Sequence, residues 1–245
     1  MSKLKIGILG YGEIGSSLEK CYLGKNFILK IKDLNRDDGL DGIDILNICI
    51  PYTEKFIDIV VKSIVDTAAK LTLIHSTVIP GTTNAISKLI PENQHVVHSP
   101  VRGVHPKLYE GLKTFVKYVG SDNEVAALSA QKHLELLGLK VERFPCATTS
   151  ELAKILCTTY YGVCIAWHND IKLMCDKYNV SFDDVATKWN TTYNEGYEKL
   201  GMSNVIRPVL YPPSEKIGGH CVVPNTELLK TIFDSLAFDY ILKLK

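Results

Sequence analysis

The sequence predicts an α/β fold: a doubly wound parallel sheet over residues 1–145, then a helical domain over residues 146–245 built on one long central helix. Three observations carry that expectation. Short apolar runs alternate with runs of helical period through the first part of the chain, which is the pattern of parallel strands joined by crossover helices. The first apolar run ends in glycines, "GYGEIG" at 10–15, as a buried strand does when it turns sharply into a helix. Around Pro145 the pattern changes, and one helical period then holds for roughly 25 residues.

In chain order, "KLKIGILGYG" reads as a buried strand and a tight turn, and "EIGSSLEKCYL" as a helix. "FILKIKDLN" alternates as a strand does, and "IDILNICIP" is a fully apolar strand stopped by Pro51. "EKFIDIVVKSIVDTAAK" has helical spacing; "LTLIHSTVIPG" and "QHVVHSP" read as further strands. "TFVKYVGS" and "LKVERF" add two more around the helix "NEVAALSAQKHLELLG". The long helix runs from "TTSELAK", with Ser150 as its expected N-cap, to "DKYNV". Its apolar residues, Leu152, Ile155, Leu156, Val163, Ile165 and Trp167, go nearly all the way round. Such a helix is buried between layers or in a subunit interface, so a symmetric homodimer is expected. A helix over "SFDDVATKWNTTYNEGY", a Pro- and Gly-rich loop to residue 221 and a last helix, "NTELLKTIFDSLAFDYILKLK", complete the chain.

Composition excludes several classes of partner. Of 245 residues, 28 are basic and 27 acidic, a net charge of +1, so neither nucleic acid nor an anionic membrane is expected to bind. No apolar run approaches the roughly 20 residues of a membrane span, and the N-terminus reads as a strand rather than a leader. Seven cysteines without CxxC pairs, most of them in apolar stretches, suit free thiols in a reducing compartment. A cytoplasmic protein follows as the expectation.

"GYGEIG" is G-x-G-x-x-G with Gly10, Gly12 and Gly15. After a strand and before a helix, it is the dinucleotide turn of a Rossmann-type domain. Gly10 permits the turn, Gly12 lets a pyrophosphate approach the backbone, and Gly15 lets helix and strand pack closely. The helix N-terminus offers free N–H groups to phosphate. Tyr11, Glu13 and Ile14 belong to the same turn, and Pro51 closes the neighbouring strand. Asp33, roughly 20 residues on, can take the ribose hydroxyls and repel a 2′-phosphate, which favours NAD over NADP. Arg36 nearby weakens that preference.

On the long helix, Lys154, Thr158, Gly162 and Asn169 fall near one face. An unpaired buried ammonium is expensive, so Lys154 either reaches water along its own stem or faces a cleft. Here several stretches resemble one family. "ELAKILCTTYYGVCIAWHND" resembles the central helix of the UDP-glucose/GDP-mannose (nucleotide-sugar) dehydrogenases. "HSTVIPGTT" resembles their S-T-V-x-P-G-T-T segment, and "IGGHC" their G-G-x-C nucleophile loop. With "GYGEIG", four matches stand in the family's order, spanning residues 5 to 230.

The resemblance implies an NAD-dependent, four-electron oxidation of an alcohol to an acid through a cysteine thioester. It assigns Cys221 as nucleophile, Lys154 as oxyanion stabiliser, and Thr77 to the nicotinamide and a water. A thiolate suits the first role and an ammonium the second. Three positions depart from the family: Thr158 stands for its asparagine, Asn225 for its aspartate, and Val101 for the glutamate of its acid–base chemistry. Glu110 matches a second family glutamate only loosely. The family's further nucleotide-gripping domain is expected to be missing from a chain ending at Lys245.

Gly218, Gly219 and His220 are candidate substrate contacts beside Cys221, His220 either as a base, a phosphate ligand or a cap on a backbone carbonyl. Arg102 with His98 and His105, past a strand's carboxyl end, reads as an anion-binding loop. His95 and His98 point to opposite strand faces, so no metal is expected. The substrate is a nucleotide sugar or a smaller anionic alcohol. Two other readings stay open: a two-electron hydroxyacid-type dehydrogenase that uses Lys154 and leaves Cys221 a bystander, and a non-catalytic NAD-binding protein.

Overall fold

The computed structural model describes residues 3–217 and 221–245. The chain divides into two compact units, Met1–Lys154 and Ile155–Lys245.

The first unit is an α/β sheet. Its strands are β1 (Leu4–Leu9), β2 (Phe27–Asp33), β3 (Arg36–Asp37), β4 (Ile45–Ile48), β5 (Leu71–Ile74), β6 (His95–His98), β7 (Lys117–Gly120) and β8 (Val141–Phe144). They lie in the order β3-β2-β1-β4-β5-β6-β7-β8. The core from β2 to β6 is parallel, as expected. Two junctions are not. β3 folds back on β2 as a hairpin, and β7 meets β6 antiparallel through His98 and Gly120. Periodicity records which face a residue serves, not strand direction, so the wholly parallel sheet is corrected to a mixed one.

Helices α1 (Glu13–Tyr22), α4 (Leu108–Thr114) and α5 (Glu124–Leu136) cover one face, and α2 (Phe56–Thr67) and α3 (Thr82–Ser87) the other. Alternate strand residues feed the two cores. Leu71, Leu73 and Val97 pack with α1 and α5, while Ile74, Val96 and Leu46 pack with α2. Helices α3 and α4 are too short for their period to show in the sequence.

A chain of polar side chains crosses the first of these faces beneath α1 and α5. Lys117 Nζ donates to Ser99 O and lies 3.0 Å from His75 Nδ1. His75 Nε2–H donates to Asn47 Oδ1 at 2.9 Å. Asn47 Nδ2 donates to Gly7 O at 3.1 Å and to Tyr22 OH at 3.2 Å, and Tyr22 OH donates to His133 Nε2 at 2.7 Å. His75 Nδ1 also lies 2.8 Å from Ser99 O, so Lys117 Nζ, that carbonyl and the ring meet at one point.

α6 (Ala147–Tyr178) opens in the first unit and runs on into the second. It is longer than expected because it starts before Ser150. That serine is buried in the first turn and bonds back to Ala147 O at 2.8 Å, so it is not the N-cap. The second unit continues with a wide π-helical segment, Asp183–Lys188, that leads into α7 (Trp189–Lys199). The expected last helix is two, α8 (Val222–Lys230) and α9 (Leu236–Leu242), because Ser235 caps the second by accepting Ala237 N–H at 3.3 Å. Gly162 lets α6 approach its neighbours: a Cβ there would lie 2.5 Å from Val222 Cγ1 and 3.1 Å from Ile241 Cδ1.

Candidate functional site

The glycine turn is built as the motif requires. Gly10 has φ +94°, and a Cβ on it would lie 2.8 Å from Cys49 O. A Cβ on Gly15 would fall 2.1 Å from Gly10 O, so strand and helix touch through bare backbone. Nothing lies within 4 Å of a Cβ on Gly12, and that residue gives α1 no side-chain cap. The first amides of a ten-residue helix therefore open onto space, and this chemistry fits a dinucleotide pyrophosphate. Asp33 ends β2, and its Oδ2 accepts Tyr11 N–H at 2.5 Å while Oδ1 accepts Leu34 N–H at 2.7 Å. The acid thus both holds the turn and borders it.

Tyr11 OH donates to Glu19, and that bond above all pushes its phenol pKa up. Glu13, at the first position of α1, meets His105 Nδ1. This brings a cofactor candidate and a substrate candidate together. Ile14 is half-buried against the apolar core.

The "HSTVIPGTT" segment follows β5 and is fixed at three points. Ser76 Oγ donates to Ile50 O at 2.6 Å, next to Pro51. His98 Nε2 donates to Ser76 O at 3.2 Å, which leaves Nδ1 toward Ser150 Oγ at 2.8 Å. Glu151 accepts Gly81 N–H at 2.6 Å, Thr83 N–H at 2.8 Å and Thr83 Oγ1–H at 2.7 Å. Thr77, half-buried, sits within this frame. Burial holds the His98 imidazole neutral, with its pKa lowered to about 3. His98 is therefore a buried tether, which corrects its place in an anion-binding loop.

Arg102 is exposed and lies over the Phe115 and Tyr118 rings at 5.5 and 5.6 Å. Tyr118 in turn stacks on Phe144 at 4.4 Å. Val101 beside it is 4% exposed and packed in the apolar core, so the position of the family's acid–base glutamate faces hydrocarbon. Lys154 is half-buried on α6, one turn after Glu151.

In the second unit, Asn225 Nδ2 donates to Thr158 Oγ1 at 2.9 Å. Two of the departures from the family pattern thus pair with each other. Cys221 is half-buried at the start of α8, and its carbonyl accepts Asn225 N–H at 3.0 Å. Gly218, Gly219 and His220 lie outside the described residues. No cluster of metal-ligating side chains occurs among the described residues.

Sequence reasoning missed Glu151, Ser76 and Asp38. Glu151 had a signal, an acid three residues before Lys154 on an apolar helix, where a buried carboxylate needs donors. Asp38 had none, because its role depends on the β2–β3 hairpin.

No family model matches the chain. It is 26% identical over 220 residues to the UDP-N-acetyl-D-mannosamine dehydrogenase of Pyrococcus horikoshii, covering 82% of this chain and 49% of that protein. The chain spans about half the length, or less, of the relatives it matches in sequence. The solved Pyrococcus horikoshii UDP-D-ManNAc dehydrogenase superposes with a TM-score of 0.76 at 19% identity, over 98% of this chain and 68% of that one. Mycobacterium tuberculosis 3-hydroxyisobutyrate dehydrogenase does so with a TM-score of 0.72 at 16% identity, over 98% and 92%. The chain is thus similar in sequence to UDP-N-acetyl-D-mannosamine dehydrogenases and shares its fold with solved nucleotide-sugar and hydroxyacid dehydrogenases.

Proposed function

We propose that the chain is an NAD-dependent oxidoreductase of the nucleotide-sugar 6-dehydrogenase type, oxidising a primary alcohol to an acid. The observation that carries this reading is the order of its parts: an uncapped glycine turn bordered by Asp33, then Lys154 on α6, then Cys221 opening α8 beside the Asn225–Thr158 pair. Gly10–Gly15, Asp33, Pro51 and Thr77 would hold the dinucleotide, which supplies the hydride acceptor when bound. Loss of a first hydride to the bound dinucleotide, with the hydroxyl proton passing to water, would give the aldehyde; the Cys221 thiolate would then add to its carbon, with Lys154 stabilising the resulting oxyanion. Loss of a second hydride, to a second dinucleotide, would leave a thioester on Cys221, which water would hydrolyse to the acid, returning the thiol. Thr77 holds that water in place of a carboxylate base, since Val101 cannot take a proton.

Arg102 and His105, with Gly218, Gly219 and His220, would contact the substrate, a nucleotide sugar or a smaller anionic alcohol. Arg102 carries no acidic partner among the described residues, which suits an anion. The protein would work as a cytoplasmic homodimer: free thiols at Cys21, Cys49, Cys146, Cys157, Cys164 and Cys175 suit a reducing compartment. No helix among the described residues is long and apolar enough to cross a membrane.

The second reading is a two-electron hydroxyacid-type dehydrogenase dependent on Lys154. The similarity to 92% of the 3-hydroxyisobutyrate dehydrogenase chain favours it. NADH release from a panel of UDP-sugars, GDP-sugars and small hydroxyacids separates the two. Two NADH per substrate, with turnover lowered by roughly 10³-fold or more in Cys221→Ala, is the expected result. One NADH, unchanged in that variant, selects the second reading. NAD binding without turnover on the whole panel selects a non-catalytic binding protein.

A further inference from the structure

Arg36 stands across the β2–β3 hairpin from Asp33, its register partner. On a Rossmann sheet this corner distinguishes the two dinucleotides. A carboxylate ending the second strand takes the ribose diol, whereas a nearby arginine takes a 2′-phosphate. The sequence offers both groups.

The guanidinium of Arg36 is already engaged. Its Nε lies 3.1 Å from both carboxylate oxygens of Asp38, and Nη2 donates to Oδ2 at 2.8 Å. Nη1 lies 4.0 Å from Glu19 Oε1, and the group sits 5.5 Å over the Tyr11 ring. Asp38 is itself fixed by the hairpin. Its Oδ2 accepts Ile31 N–H at 2.9 Å, and its own N–H donates to Ile31 O at 3.0 Å. The other acid here, Asp37, is paired with Lys32 at 2.9 Å. A fork-shaped cation held by a backbone-anchored carboxylate is in its preferred geometry.

We propose that Asp38 is a specificity-determining residue: it holds the guanidinium that this corner would otherwise offer to a 2′-phosphate, so NADP is refused through Asp38 as well as Asp33. The inference rests on the dinucleotide-binding reading of the glycine turn. A 2′-phosphate must take Arg36 from Asp38 and then sit beside the carboxylate it displaced. Asn at 38 keeps an oxygen for Ile31 N–H and loses the charge that binds the fork.

Fluorescence titration of the whole chain with NADH and with NADPH tests this without turnover, in wild type, Asp38→Asn, Arg36→Ala and the double variant. Wild type is expected to bind NADH more tightly. Asp38→Asn is expected to gain about tenfold in NADPH affinity, with NADH changed by less than about twofold. The double variant loses that gain, and Arg36→Ala alone leaves NADPH affinity unchanged. With NADH still bound, an unchanged NADPH affinity in Asp38→Asn overturns the proposal and leaves the dinucleotide reading standing. A gain that survives in the double variant does the same. If Asp38→Asn fails to fold, Arg36→Ala decides: weaker NADPH binding than wild type means the arginine was never withheld. Wild type that binds neither dinucleotide overturns the dinucleotide reading, and this one with it.

Discussion

Lys117 enters β7 with 2% of its surface exposed and no carboxylate in its hydrogen-bonded chain. Burial drives its pKa well below the ordinary 10.5, with Cys49 and Cys21 on one side and the Lys154 charge on the other. Folding then releases a proton wherever the unfolded lysine is charged, so stability rises with pH. One such proton is worth about 1.4 kcal/mol per pH unit. The rise is expected between about pH 7 and 9. Above that, Cys49 opposes it: burial pushes its thiol up to about 12, so the folded chain keeps a proton that the unfolded chain has lost. His75, His98 and His133 are buried neutral, the last with its pKa lowered to about 4. They remove stability as pH falls below about 6.5. Urea midpoints at pH 7 and pH 9 check the rise, and Lys117→Met is expected to flatten it. None of this was legible in "FVKYVGS", where a lysine in a strand reads as facing solvent. Only the pairing of β7 with β6 and β8 puts it inside.

At the scale of elements, α6 clamps the "HSTVIPGTT" segment through one side chain. Glu151 is fully buried and accepts three donors at the start of α3. It does for α3 what a local cap does elsewhere, since Gly81 has no side chain to offer. Glu151→Ala leaves three buried donors unmet and is expected to cost about 3 kcal/mol, read as a lower denaturant midpoint. Glu151→Gln keeps an acceptor and is expected to cost less. The elements themselves were largely legible: β1, β2, β4, α1, α2, α5 and α6 follow from apolar period and from glycine or proline punctuation. The expected single C-terminal helix was not, because one apolar period continues across the Ser235 cap.

At the scale of the molecule, the second unit leaves many large apolar side chains on its surface. Tyr160, Tyr161 and Trp167 on α6 are 64%, 50% and 52% exposed, and Met174 and Tyr178 are 45% and 71%. A groove of about 620 Å³ runs past Trp167, Met174 and Tyr178 to Val185. Apolar surface on this scale suits an association face, in keeping with the proposed homodimer. Light scattering at micromolar concentration is expected to give twice the chain mass, and Trp167→Asp to return it toward one. A monomer in the wild type would remove the homodimer from the proposed function.

The sequence by itself determined the α/β class, the glycine turn with Asp33, the long helix and the resemblance to a family, because each is written in local period or contiguous motif. Tertiary structure alone decided what those residues touch. It put His98 in the core rather than in an anion loop, joined Thr158 to Asn225 across 67 positions, and gave Arg36 to Asp38. Hydrogen-bond partners belong to the folded chain, since a buried polar group takes whatever donor or acceptor the packing brings within reach.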